Sequence, residues 1–267
     1  GSFDTATRAF TTDGALPSSD DSRGPRAAGD DVPVLAVAFD LGAVTEPASR
    51  RIIVAYDDEY SIEYMGQRLR PYWRREGMDP VELLETSEHE AEDLAARCAQ
   101  FDDELIDDMT RMGGAKYARL CALAYRQAQA ANKVTADSNG CPLMFPKENF
   151  SNGCIGTVDV IYPMIPQFLL LNPTLAKAAI APVLDYAASE RWKFPFAPHD
   201  LGRYPHANGQ AYGGGEETED RQMPVEESGN MILLVAAIVQ AEGSAAFASR
   251  YWPQLTEWAE YLADKGF

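Results

Sequence analysis

The sequence predicts a mainly α chain of helical hairpins with a short β segment at its N-terminal end. Three observations carry that prediction. Two apolar runs, residues 32–40 and 51–58, have the length and composition of strands. From Asp79 onward the apolar residues step instead by threes, fours and sevens, the period of a helix. The helical stretches then fall into three consecutive pairs, with the polar motifs gathered in the connections between them. Residues 1–76 accordingly read as the end of a β-rich domain and its linker, and residues 77–267 as an α-hairpin domain.

Taken in order, residues 3–30 are polar and turn-rich, and Gly1-Ser2 has the look of a tag remnant. The runs V-P-V-L-A-V-A-F-D and R-I-I-V-A-Y-D-D read as buried strands, and residues 60–65 offer a third. Leu84, Ala91, Leu94, Cys98, Phe101, Leu105, Met109 and Met112 then mark a long amphipathic helix or a broken pair, stopped at Gly113-Gly114. Tyr117, Leu120, Cys121, Ala124, Tyr125 and Ala128 mark the return helix, with Cys98 and Cys121 expected to be buried on apolar faces. Residues 158–171 and 173–188 form the second pair, the latter opened by Asn172 as N-cap and Pro173 at N1. Residues 224–240 and 244–265 form the third, with a kink expected at Pro253. Three pairs make an open arc.

The connection at 194–230 organises the rest. Up to Met223 it has neither helical nor strand periodicity, and loops of that length in a compact domain usually carry function. It holds two of the chain's three histidines, His199 and His206, and a run of carboxylates. Composition narrows the partners. With 41 acidic against 23 basic residues the net charge is −18, which disfavours nucleic acid and anionic membranes as partners. Twelve of the acids lie between residues 79 and 108, on what reads as the solvated face of the first long helix. The longest apolar run is far short of the roughly 20 residues that a membrane span needs, and the four cysteines show neither zinc spacing nor C-x-x-C.

The candidate chemistry rests on carboxylates. Glu226 and Glu227 follow Pro224 at a helix start, where acids complement the helix dipole by roughly 0.3–1 kcal/mol each. Adjacent helical residues point about 100° apart, so one of them can be catalytic while the other stays structural. Asp200 reads either as their catalytic partner or as a turn residue bonding backbone amides, and His199 as a substrate clamp or part of that turn. Glu148, Asn149 and Asp159 surround a Ser-Asn-Gly-Cys turn and are expected at the substrate, as are Asn208 and Asn230; Asp159 reads equally well as a cap. Cys154 as a thiolate nucleophile lacks a visible orienting group. The acids at 216–220 read as a solvated turn, and no metal or cofactor is expected.

The segments K-E-N-F-S-N-G-C-I-G-T-V-D-V-I-Y-P, W-K-F-P-F-A-P-H-D-L-G-R-Y-P and M-P-V-E-E-S-G-N-M resemble the glutaminase A family, which is known from fungi and has many bacterial relatives; the chain reads as one of the latter. The resemblance implies a β-rich N-terminal domain followed by a six-hairpin (α/α) toroid of the glycosidase type. Relative to that pattern most of the β domain is missing and the chain stops at D-K-G-F, so a part of a larger protein is expected. The implied activity is hydrolysis of glutamine, with Glu227 or Glu226 and Asp200 activating water on the carboxamide. A six-hairpin glycoside hydrolase and a non-catalytic binding piece are the alternatives. The implied partners are a small molecule, glutamine or a sugar, and the remainder of the polypeptide or a second copy covering the open helical face. A secreted or periplasmic location follows from the family alone.

Overall fold

The computed structural model describes residues 1–148 and 150–266, and the chain divides into two compact units, residues 1–54 and 55–267. In the first, α1 (Phe3–Asp13) occupies a stretch that reads as turns in the sequence. Its ends explain it: the Ser2 hydroxyl accepts from the Thr5 N–H at 3.2 Å, and Gly14 closes the helix at φ 70°. Gly1-Ser2, which resembles a tag remnant, therefore does structural work through the buried Ser2. Arg23 and Arg26 gather Asp21 and Asp31 into a small ion-pair cluster.

The expected strands at 32–40 and 51–58 do not form among the described residues. Apart from the isolated bridge Ser2–Pro33 they have no ladder partner, and Leu35, Val37, Ile52 and Val54 are exposed. Strand propensity expresses itself only against a neighbouring strand and a covered face, and neither is supplied there.

The second unit holds the rest. β1 (Ile62–Tyr64) pairs antiparallel with β2 (Gln67–Leu69), Ile62 opposite Leu69. The long helix α2 (Pro80–Ala130) starts with a capping box, Asp79 accepting from Val81 and Glu82 while Glu82 bonds back to the Asp79 N–H. At Gly114 the backbone leaves helical geometry, φ 81° and ψ 172°. The arms fold back there: the Phe101 and Tyr125 rings meet at 5.5 Å, whereas 24 residues of straight helix would separate them by about 36 Å. Of this hairpin only Ala118 is fully buried; Leu84, Leu94, Met112 and Leu120 are exposed, and Cys98, expected to be buried, is exposed as well.

A second β-hairpin, β3 (Asn132–Ala136) with β4 (Pro142–Pro146), follows α2 and lies against a later helix. Its turn is built by Asp137, whose carboxylate accepts from the Asn139 and Cys141 N–H groups, and by Gly140 at φ 78°. The helical core comes next. α3 (Val158–Leu171) packs on α4 (Pro173–Ala187) and on α5 (Pro224–Glu242), and α5 packs on the closing helices α6 (Ala246–Arg250) and α7 (Trp252–Lys265). Asn172 caps α4 and Pro173 opens it, as the sequence predicts. Pro253 sits in the first turn of α7 instead of kinking a continuous helix: the break falls at Tyr251, where α7 begins anew. Ile161, Ile165, Phe168, Ile180, Leu184, Met231, Ile238 and Trp258 form the core of this bundle. The architecture is mainly α. No helix among the described residues is long and apolar enough to cross a membrane.

Candidate active site

The long connection between α4 and α5 is an ordered loop held at both ends. At its start Trp192, Phe194 and Phe196 pack on one another, the Trp192 Nε1–H bonds the Phe196 carbonyl at 2.6 Å, and the Ala197 N–H donates to the Ser228 hydroxyl on α5. These aromatics anchor the loop. In its middle a two-residue strand, β5 (His206–Ala207), pairs parallel with β1, and Gln210 accepts from the His199 N–H at 2.7 Å while donating to the Tyr212 carbonyl.

This bracing carries His199 and Asp200 to the N-terminus of α3, where the Val158 N–H donates to the His199 carbonyl at 2.8 Å. The 148–159 segment runs beside it, the Ile155 N–H bonding the Gly202 carbonyl and the Leu201 N–H the Ile155 carbonyl. The two regions that the sequence singles out thus meet. Asp159 lies in the first turn of α3 and Glu227 in the first turn of α5, and the two helices pack together. As a result, ligand-capable atoms of Asp159, His199 and Glu227 all lie within 4.8 Å of one another.

Each of these groups has a distinct environment. Asp200 is fully buried, and its carboxylate accepts from the Gly202, Ala211 and Tyr212 N–H groups at 2.8, 2.9 and 3.1 Å. Its Oδ2 also lies 2.9 Å from His199 Nδ1. The carboxylate stands behind the imidazole, its oxygens engaged by the loop, in the arrangement of the turn residue bonding backbone amides that the sequence offered as one of two readings. His199 Nε2 is left facing Asp159 Oδ2 at 3.9 Å, and Tyr212 stacks on the other side of the ring.

Glu227 is fully buried. Its Oε2 is 3.4 Å from the Asn230 amide, while its Oε1 has no partner. Burial is the largest cause, the charge on Asp159 the next, of a carboxyl pushed up to about 9. Asp159 is half-buried and its Oδ1 is likewise without a partner. Glu148, at the edge of the cluster, accepts from the Ser151 and Thr157 hydroxyls, and its carboxyl is raised by burial and then by Asp159. A cavity of about 660 Å³ opens beside it, lined by Gln127, Lys147, Ser151 and Val160 among others.

Of the other expected residues, Glu226 is exposed on the outer side of α5 and takes no part in the cluster, because the helical step turns it away when Glu227 points inward. Asn208 lies elsewhere: its amide donates to Glu63 and its carbonyl oxygen accepts from the Gly66 N–H, tying the loop to the β1–β2 turn. Asn149 lies outside the described residues. Gln210, Tyr212 and Thr157 are the residues whose site roles the sequence reading missed. Gln210 has no local signal; the signals that could have found the others are the position of Tyr212 as an aromatic in the long connection and of Thr157 just before an apolar helix. Buried Cys154, its thiol pushed up to about 12 by burial and by the neighbouring Asp200 and Glu148, is poorly suited to act as a thiolate. An apolar groove of about 620 Å³ between α5 and α7 carries one carboxylate, Glu260, and one hydroxyl, Thr256, in an otherwise apolar lining.

Residues 114–267 match the family model described as the glutaminase A six helical-hairpin domain, and residues 1–108 match that of a domain of unknown function, DUF5127. Over 264 residues the chain is 33% identical to glutaminase A of Aspergillus oryzae, a match covering 96% of this chain and 37% of that protein. Over 246 residues it is 29% identical to a probable glutaminase of Arthroderma benhamiae, covering 87% of this chain and 28% of that one. The chain spans about a third of the length of these fungal relatives. No solved structure matches it. With the helical hairpins, the matched residues and the length of the match together, the chain belongs to the glutaminase A six helical-hairpin family.

Proposed function

We propose that the protein is a glutaminase-like amidohydrolase whose reacting groups are Asp159, His199 and Glu227. The single observation that supports this most is the unpartnered, buried Oε1 of Glu227 close to Asp159 and His199. A carboxyl in that position keeps its proton and serves as an acid, while a half-exposed carboxylate across from it serves as a base.

In this reading a water held between Asp159 and the His199 imidazole attacks the carboxamide carbon of glutamine or a related amide. Asp159 takes the proton that the water loses, and the C–N bond breaks as Glu227 gives its proton to the departing nitrogen, releasing ammonia and a carboxylic acid. The cycle closes when Asp159 gives up its extra proton and Glu227 regains one, by exchange with solvent. Asp200 touches neither substrate nor water; it holds His199 by Nδ1 and so fixes which ring nitrogen faces the cleft. Acid–base catalysis of this kind contributes typically about 10²–10⁴-fold. Glu148 and Asn230 line the same space as substrate contacts.

The glycosidase alternative of the inverting type needs two carboxyls roughly 6.5–9.5 Å apart with a water between them. Single oxygens of Asp159 and Glu227 lie within 4.8 Å of each other, an approach nearer to the roughly 5–5.5 Å of the retaining type than to the inverting spacing. The test is ammonia release from glutamine by the full-length protein. Glu227→Gln and Asp159→Asn are expected to lower kcat by at least about 100-fold and Glu226→Gln to leave it unchanged. Full activity in Glu227→Gln would remove the mechanism.

A further inference from the structure

Three groups that can each offer a lone pair to a cation face one another at the starts of α3 and α5: Asp159, His199 Nε2 and, once a cation displaces its proton, Glu227. Asp200, whose carboxylate already accepts from three backbone N–H groups, offers His199 Nδ1 only an acceptor oxygen, 2.9 Å away, so a ring proton belongs on Nδ1. Nε2 therefore presents a lone pair. It points at Asp159 Oδ2, 3.9 Å away. Glu227 Oε1 and Asp159 Oδ1 are buried and bonded to nothing. Buried acceptors are costly unless something positive lies between them, and among the described residues these two oxygens have no hydrogen-bond partner of any kind.

We propose that Asp159, His199 through Nε2, and Glu227 form a binding site for a divalent transition-metal cation. The donor set of one imidazole and two carboxylates suits zinc or manganese better than calcium, which takes oxygen ligands. Asp200 behind the imidazole supplies the outer carboxylate that commonly orients a metal-binding histidine. Ligand atoms about 2.0–2.2 Å from one zinc ion lie roughly 3.3–3.6 Å apart, so the present 4.8 Å spread closes by about 1 Å. The half-exposed Asp159 side chain has the freedom to make that movement. The two nearby helix N-termini oppose a cation, but their partial charges of roughly half a unit each are smaller than the two full carboxylate charges facing them.

This goes beyond the hydrolytic reading and uses the same oxygen differently. A cation on Glu227 leaves no proton there to donate, so the loaded protein is expected to be inactive by the acid–base route. The experiment is titration calorimetry of the full-length, chelator-treated protein with ZnCl₂ and with MnCl₂ alone, beside ammonia release measured on the same samples. One site per chain is expected. Binding should be at least 100-fold weaker in His199→Ala, Glu227→Gln and Asp159→Asn, about 10–100-fold weaker in Asp200→Asn, and unchanged in Glu226→Gln. Circular dichroism identifies any buried variant that fails to fold, and Asp159→Asn, at a half-exposed position, then decides. No uptake by the wild type, or equal uptake by Asp159→Asn, overturns the site. Ammonia release lost in Glu227→Gln with no uptake by the wild type overturns the cation site and keeps the hydrolytic reading. Uptake lost in Glu227→Gln with ammonia release unchanged does the reverse.

Discussion

Tyr212 lies flat against His199, the ring centroids 4.1 Å apart and the planes 18° from parallel. The imidazole is held in three ways: by this face, by Asp200 at Nδ1, and by its own backbone through Val158 and Gln210. Stacked aromatic pairs contribute about 0.5–1.5 kcal/mol beyond area burial. Tyr212→Ala is therefore expected to lower stability by about 1 kcal/mol and kcat by roughly 10–100-fold, the range that small misplacement of a reacting group produces. Tyr212→Phe should retain both. Steady-state kinetics and urea unfolding of the two variants check this.

Asp200→Asn keeps the shape and removes the charge. An amide offers one acceptor oxygen where the loop and the imidazole use two, and its NH₂ then meets an N–H donor. Hydrogen bonds to charged groups contribute about 1.5–3 kcal/mol each, so a loss of about 2–4 kcal/mol is expected. Equilibrium urea denaturation reads it directly, and an unchanged midpoint would contradict the bonding described.

Glu227 makes stability depend on pH. Its carboxyl is raised from 4.5 to about 9 in the folded chain, so across that window the native state binds a proton that the unfolded state has lost. This contribution is fully present below pH 4.5 and declines as pH rises toward 9, with a slope no steeper than about 1.4 kcal/mol per pH unit for one group. Glu227→Gln, neutral at every pH, should be the more stable protein at pH 8 and should flatten the decline. Unfolding is followed from pH 5 to pH 9 with a chelator present, so that no cation takes the place of the proton.

Gly202 occupies a backbone that only glycine accepts comfortably, at φ 133°, and a Cβ there would lie 2.3 Å from the His206 carbonyl oxygen. Its N–H is one of the three that bind Asp200. Gly202→Ala is expected to lower stability by at least about 1–3 kcal/mol and to open the 194–223 loop to protease before the helices are cut. Limited proteolysis followed by mass spectrometry locates the first cleavage.

From Asp79 onward most helices were legible in the sequence because their signals are local, whereas α1 reads as turns and the break at Tyr251 gives no such signal. Asn172-Pro173 and the carboxylates of 224–227 mark starts, and the apolar period marks faces. The approach of the 148–159 and 199–230 segments was legible as well, from the density of polar residues in two connections. Less visible was anything decided by a neighbour far along the chain. Whether residues 32–40 become a strand depends on a partner, not on their own composition. That Asp200 bonds three backbone N–H groups depends on positions only the folded loop defines, and the nearness of Asp159 to Glu227 depends on the packing of α3 on α5. The β3–β4 hairpin had a local signal, D-S-N-G-C between two strand-like runs, and was missed because the helical period on either side drew attention away.

The bond from Gly66 to Asn208 spans 142 residues, and that from Asn208 to Glu63 spans 145. During synthesis, β1 and β2 emerge with only each other to hold, because the strand that completes their sheet is made far later. Contacts of such separation are closed late, after the loop entropy between them has been met by the helices in between. The latch at 206–208 is therefore expected to close on the β1–β2 hairpin only after the helices in between have brought its two halves together.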